Sequence, residues 1–152
     1  GTMGLIVNKP SPDLRFSTLL EQLEIETGPE IRKIRIHVGG PVEKGRGFIL
    51  HSTDYKSNEG TIEVDDRISM TATMDVIEEI AQGAGPSQAM MALGYAGWGP
   101  GQLEGEIARN GWLVSDADDD IVFGRANDHK WTAALKGLGV DPLMLSETVG
   151  RA

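Results

Sequence analysis

The sequence predicts an α+β fold. Short apolar/polar alternations come in pairs around turn residues, as hairpins do, and two or three segments carry apolar residues at helical spacing. The two kinds do not follow the regular strand–helix order of a doubly wound sheet. At 152 residues, with no internal repeat, low-complexity tract or dividing linker, the chain reads as a single domain over residues 1–152, long enough to bury a core without staples.

Met3 to Asn8 reads as the first strand, and Phe16, Leu19, Leu20 and Leu23 mark an amphipathic helix with Ser11 or Asp13 as its cap. Thr27-Gly28-Pro29 closes that region. Ile34, Ile36 and Val38 alternate with Arg35 and His37, the pattern of a half-buried strand, and Gly39-Gly40-Pro41 through Gly47 turns into a second strand, Phe48 to His51. This hairpin sets His37 and His51 on neighbouring strands. Beyond a polar loop, Ile62 and Val64 face Ile68, Met70 and Ala72 across Asp65-Asp66 in a further hairpin. Asp75 with Glu78 makes an acidic variant of a capping box for a helix bearing Val76, Ile77 and Ile80, which Gly83 to Pro86 stops. Residues 88–93 are apolar at both parities, as a strand covered on both faces requires. A helix holding Leu103 and Ile107 is expected to begin near Pro100 and to end at Asn110-Gly111. Trp112 to Ser115 and Ile121 to Phe123 read as short strands, and Trp131 to Leu138 as the last helix.

The passage from Leu93 to Glu104 is the densest in information, because it runs from strand to helix through Gly94, Gly97, Gly99 and Gly101 with almost no filler. Glycines before a helix start leave amide N–H groups at the positive end of a helix dipole, a geometry that holds phosphate or carboxylate. The competing reading is that the glycines let Tyr95 and Trp98 fold back into the core. Known nucleotide motifs fail here. A dinucleotide fingerprint starting at Gly97 needs glycine or alanine where Gln102 stands, a phosphate loop from Gly94 to Gly99 needs lysine where Pro100 stands, and no serine is flanked as in a nucleophile elbow. No cofactor is predicted. The ligand-binding candidates are Gly94, Gly97, Trp98, Gly99, Gly101, Gln102 and Glu104 with His37 and His51, of which His37, His51 or Glu104 would supply acid–base work.

Composition narrows the classes. There is no cysteine, which excludes disulfides and thiolate chemistry and agrees with a reducing cytoplasm. No apolar run approaches a membrane span, so no membrane association is expected. A net charge of −9 repels polyanions at long range and disfavours direct nucleic-acid binding. Arg32, Lys33, Arg35, Lys44 and Arg46 are a local exception that reads either as one basic patch or as solvated strand-edge charge.

No catalytic constellation is complete. His37 and His51 lack a third ligand at a diagnostic spacing, so no metal site is predicted. Asp116, Asp118 and Asp120 have the first spacings of a calcium loop, but Ile121 replaces its glycine and Asn127 its glutamate. Ser52-Thr53-Asp54 beside His51 has hydrolase residue types without evidence of triad geometry. Tyr95, Trp98, Trp112 and Trp131 suit ring stacking, though tryptophans in a small domain more often fill a core or an interface.

The run Leu93 to Glu104 resembles the signature of the YqgE/AlgH family of bacterial proteins. The likeness extends to Gly1 to Pro10, to Gly39-Gly40-Pro41-Val42 with Arg46 to His51, and to Thr73 to Ile77. What the resemblance implies is a bifurcated, mostly antiparallel sheet closing towards a pseudo-barrel, flanked by helices, and no specified reaction. The family takes half its name from a member linked to regulation of alginate synthesis. Family members carry a further N-terminal segment ahead of the stretch matching Gly1 to Leu5, so strands are expected to be missing here. The favoured functional expectation is a cytoplasmic regulatory or interaction protein, by resemblance a transcriptional regulator, that acts through an unknown protein partner or small ligand. The alternatives are a ligand-binding protein or hydrolase-like enzyme using loop 94–104, and an oligomer joined by strand edges.

Overall fold

The computed structural model describes residues 1–30, 32–57 and 59–145. Residues 146–152 of the predicted domain lie outside that range. The elements in chain order are β1 (Thr2–Gly4), α1 (Phe16–Gln22), β2 (Ile36–Val38), β3 (Val42–Ser52), β4 (Thr61–Glu63), β5 (Ile68–Thr71), α2 (Met74–Ala81), β6 (Ala89–Trp98), α3 (Gln102–Ala108), α4 (Asp119–Phe123) and α5 (Asn127–Gly137).

β6 is the axis of the sheet. β3 pairs with it antiparallel, and β5 and β4 continue the sheet outward in order. Its remaining pairing is divided: β2 runs parallel along Met91 to Leu93, and β1 runs antiparallel along Ala96 to Trp98. After β1 the chain continues outside β2, where the Ile6 amide donates to Gly39 O, Val38 to Lys9 O and Ser11 to Ile36 O. The α+β class and the bifurcated, mostly antiparallel, curled sheet are therefore as expected.

The predicted hairpin between β2 and β3 does not form. β2 and β3 lie on opposite edges of β6, so the chain has to cross that strand to pass from one to the other. Gly39 and Gly40 make the crossing directly against the β6 backbone. A Cβ on Gly40 would stand 2.1 Å from the Tyr95 carbonyl carbon, one on Gly39 2.3 Å from Gly94 O, and one on Gly94 2.5 Å from Gly40 O. Gly94 also has φ near +78°, which L side chains rarely adopt. Two glycine-bearing segments 54 positions apart in sequence are thus one structural device, a close backbone contact that permits the crossing.

β6 explains its own composition. Met91 joins Ile49 and Ile36 in a core under α1 and α2, with Phe16, Leu20, Val76 and Ile80, while Met90 joins Phe48, Leu50, Ile68, Met70 and Val122 on the other face. Successive strand residues point to opposite faces, so both parities must be apolar.

Several boundaries are corrected. β6 runs on through Gly94 to Trp98, because β1 supplies partners there, and α3 begins at Gln102 rather than near Pro100. α1 starts after Arg15 with no side-chain cap, so neither Ser11 nor Asp13 serves. Thr73, not Asp75, precedes α2. Asp75 instead lies in the first turn and accepts hydrogen bonds from the Ser57 and Thr73 hydroxyls. Trp112 to Ser115 forms no strand. Ile121 to Phe123 lies in α4, because Asp118 caps that helix by accepting from the Asp120 amide and Asp119 and Asp120 sit at the positive end of its dipole. The β4–β5 hairpin forms with Ile62 opposite Met70, and Asn110 with φ near +61° ends α3 as expected.

Candidate functional site

Among the ligand-binding candidates, the Gly99 amide, Gln102 and Trp98 are engaged by the protein itself. The Gly99 amide donates to Gln102 Oε1 at 3.0 Å, and Gln102 Nε2 donates to Glu106 Oε1 at 3.3 Å. Glu106 Oε2 accepts the indole N–H of both Trp98 and Trp112 at 2.9 Å, and the two rings meet edge to face with centroids 5.8 Å apart. The carboxyl of Glu106 is held below its ordinary range, first by the Trp112 indole and then by Gln102. Gly101 precedes α3 in the left-handed conformation, and Glu104 is exposed. Residues 94–104 line none of the five main cavities among the described residues.

This knot leads onto an exposed apolar strip. Trp112, Leu113 and Val114 are 50%, 59% and 63% exposed. Trp131 is also half exposed, so Trp112 and Trp131 do not fill the core.

His37 and His51 are not brought together. Ile36 and Ile49 face the same core, so His37, next to Ile36, takes the opposite face of the sheet from His51, two residues beyond Ile49. His51 Nδ1 donates to Ser52 O, and Thr71 Oγ1 bonds Nε2, both at 2.7 Å. Both ring nitrogens are thus occupied by the sheet itself. Ser52 Oγ donates to Asp54 Oδ1 at 2.6 Å, and Asp54 accepts the Ser87 amide at 3.0 Å, which ties two turns together and leaves the serine hydroxyl without contact to His51.

His37 stands elsewhere, in the wall of a cavity of about 360 Å³ between residues 32–37, the start of β6 and the α4–α5 region. It is 2% exposed, and its Nε2 lies 3.2 Å from Asn127 Oδ1. Its Nδ1 is inaccessible and makes no hydrogen bond of good geometry, although the Arg35 and Met91 backbones lie beside the ring. Burial holds the imidazole below its usual range, and the nearby Lys130 charge adds to that effect. Lys130 Nζ donates to Val7 O at 2.7 Å and Val122 O at 2.9 Å, and burial followed by the Arg35 charge lowers its own pKa.

Of the five clustered basic residues, Arg32, Lys33 and Arg35 line this cavity. Lys44 and Arg46 lie on β3 instead, with Arg46 paired to Glu43 and set over the Phe48 ring. The sequence carries no signal that places Arg125, Asn127 and Lys130 beside this cavity. About ninety positions separate them from Arg35 and His37, and no local pattern links the two stretches.

The comparisons with known proteins agree on the family. The family model described as AlgH-like matches residues 1–143. A UPF0301 protein of Cereibacter sphaeroides is 55% identical over 152 residues, covering 100% of this chain and 83% of the relative. One from Ruegeria pomeroyi is 56% identical over 153 residues with the same coverage. The solution structure of the AlgH protein from Pseudomonas aeruginosa superposes with a TM-score of 0.74 at 37% identity, covering 99% of this chain and 76% of that one. A crystal structure of a Corynebacterium diphtheriae protein shares the fold, with a TM-score of 0.66 at 20% identity, covering 88% of this chain and 69% of that one. With the family model matching residues 1–143 and a relative 55% identical over the whole chain, the chain belongs to the AlgH-like family.

Proposed function

We propose that this chain is a regulatory or interaction protein that works in the cytoplasm by binding a protein partner, and not by chemistry of its own. The observation that carries the reading is the exposed strip Trp112-Leu113-Val114, three successive large apolar side chains each at least half accessible. Isolated exposed apolar residues need no explanation, whereas a contiguous strip anchored by an aromatic pair is typical of contact surfaces. Glu106 holds both indoles, so Trp112 is presented in one orientation, and a preordered side chain loses less entropy on association. The regulatory part of the reading rests on family resemblance.

The test is photo-crosslinking in the native host with a crosslinking residue placed at position 113. A discrete crosslinked species is expected from the wild-type surface and is lost on Val114→Asp, with the far-UV spectrum unchanged. Absence of any discrete species, or its persistence in the variant, would sink the reading.

A further inference from the structure

We propose that the cavity around His37 is a binding site for a small phosphate-class oxyanion. Its lining includes Arg32, Lys33, Arg35, Arg125 and Lys130 and no aspartate or glutamate, in a chain with 23 acidic against 14 basic residues. A random sample of this surface would be acidic, so five cations without a carboxylate call for a counter-charge from outside the chain.

The way these cations are held supports the same conclusion. Arg32 donates to the carbonyls of Ala84, Pro86 and Ser87, Arg35 to that of Arg125, and Lys130 to those of Val7 and Val122. Carbonyl oxygens orient a cation without neutralising it. Among the described residues, none of the five forms an ion pair with a carboxylate. Lys130 and Arg35 lie close enough to repel, and an anion between them relieves that repulsion. Lys130 keeps its third ammonium proton, and Lys33 and Arg125 make no side-chain hydrogen bond among the described residues, so donors remain for a ligand.

His37 adds a polar ring to the same lining. Its Nε2 lies 3.2 Å from Asn127 Oδ1, and its Nδ1 is closed off from the cavity. The volume of about 360 Å³ exceeds the needs of an inorganic ion, and Met90, Val122 and Phe123 supply an apolar wall. An organic phosphate uses both parts, and free phosphate uses only the first.

The test is calorimetric titration of phenyl phosphate and of inorganic phosphate into the full chain, in chloride buffer at constant ionic strength. Both are expected to bind, phenyl phosphate the more tightly if the apolar wall takes part and the two equally if only the charged group is recognised. The double variant Lys33→Gln/Arg125→Gln should weaken binding at least about tenfold, since hydrogen bonds to charged groups are lost. The control Lys44→Gln/Arg46→Gln makes the same change in net charge away from the cavity and should stay within about twofold. Chemical-shift mapping on the unmodified protein is a second measurement that does not depend on variants folding, and perturbations are expected at residues 32–37 and 122–130. No heat and no shifts with either ligand, shifts confined elsewhere, or equal affinity in the Lys33/Arg125 variant would overturn the proposal.

Discussion

At Gly40 a Cβ would lie 2.1 Å from the Tyr95 carbonyl carbon, and because the obstructing atom belongs to a paired strand, it cannot swing aside as a side chain would. Gly40→Ala is therefore expected to destabilise by about 3 kcal/mol or more, the upper range for inserting a methylene into a packed site. Gly45 has nothing within 4 Å of its added Cβ, and Gly45→Ala should change stability by less than about 0.5 kcal/mol. Urea unfolding of the two variants checks the contrast, and equal effects would remove the crossing as the reason for the glycine. The sequence showed that glycines were concentrated at 39–40 and 94–101, but a glycine needed for a turn and one needed for a close approach look the same in one dimension. Gly94 belongs to the second kind, and at Gly99 an added Cβ meets nothing nearer than Gln102 Oε1 at 3.7 Å.

At the scale of elements, local chemistry explains both successes and failures. The β4–β5 hairpin was legible because Asp65 Oδ1 accepts the amides of Arg67 and Ile68 and makes the turn locally. α4 departs from the expected strand because Ile121, Val122 and Phe123 have strand propensity, whereas the acidic run before them is the cap that makes them helical. Asp118→Ala should cost about 1 kcal/mol through loss of that cap. Its signature is faster hydrogen exchange at the amides of Asp120 to Val122, and unchanged exchange there would show that α5 packing alone holds the turn. Trp112 to Ser115 has a strand composition but pairs with no strand among the described residues, so the propensity is unrealised.

For the molecule as a whole, pH reports which groups the fold has displaced from their ordinary ionisation. His37 has its folded pKa lowered, first by burial, so the unfolded chain takes up a proton there before the native protein does. Stability from this group is complete above the unfolded value of about 6.5 and declines as pH falls through that value towards the lower native one. Asp54 is lowered first by the Ser52 hydroxyl. At Asp75 burial acts upward and is outweighed by the hydroxyls of Ser57 and Thr73. Both contribute stability that is lost only at more acid pH, on falling below the ordinary carboxylate range. Melting temperature in a phosphate-free buffer should therefore drop between about pH 7.5 and pH 5.5, and His37→Phe should flatten that part of the profile. The same drop in both proteins would assign the effect to other groups.

The sequence by itself determined the α+β class, most segment identities, the family, and the apolar strand that both cores share, because these depend on composition and on periods of two and 3.6 residues that a linear reading detects. Only the tertiary structure decided that β2 and β3 lie on opposite edges of β6, that the Gly99 amide and two indoles are occupied within the protein, and that Arg35 and His37 meet Arg125, Asn127 and Lys130 around one cavity. The physical reason is that strand pairing across a glycine crossing and the convergence of cations from distant stretches are long-range contacts, set by which surfaces can be buried together and not by any local preference of the chain.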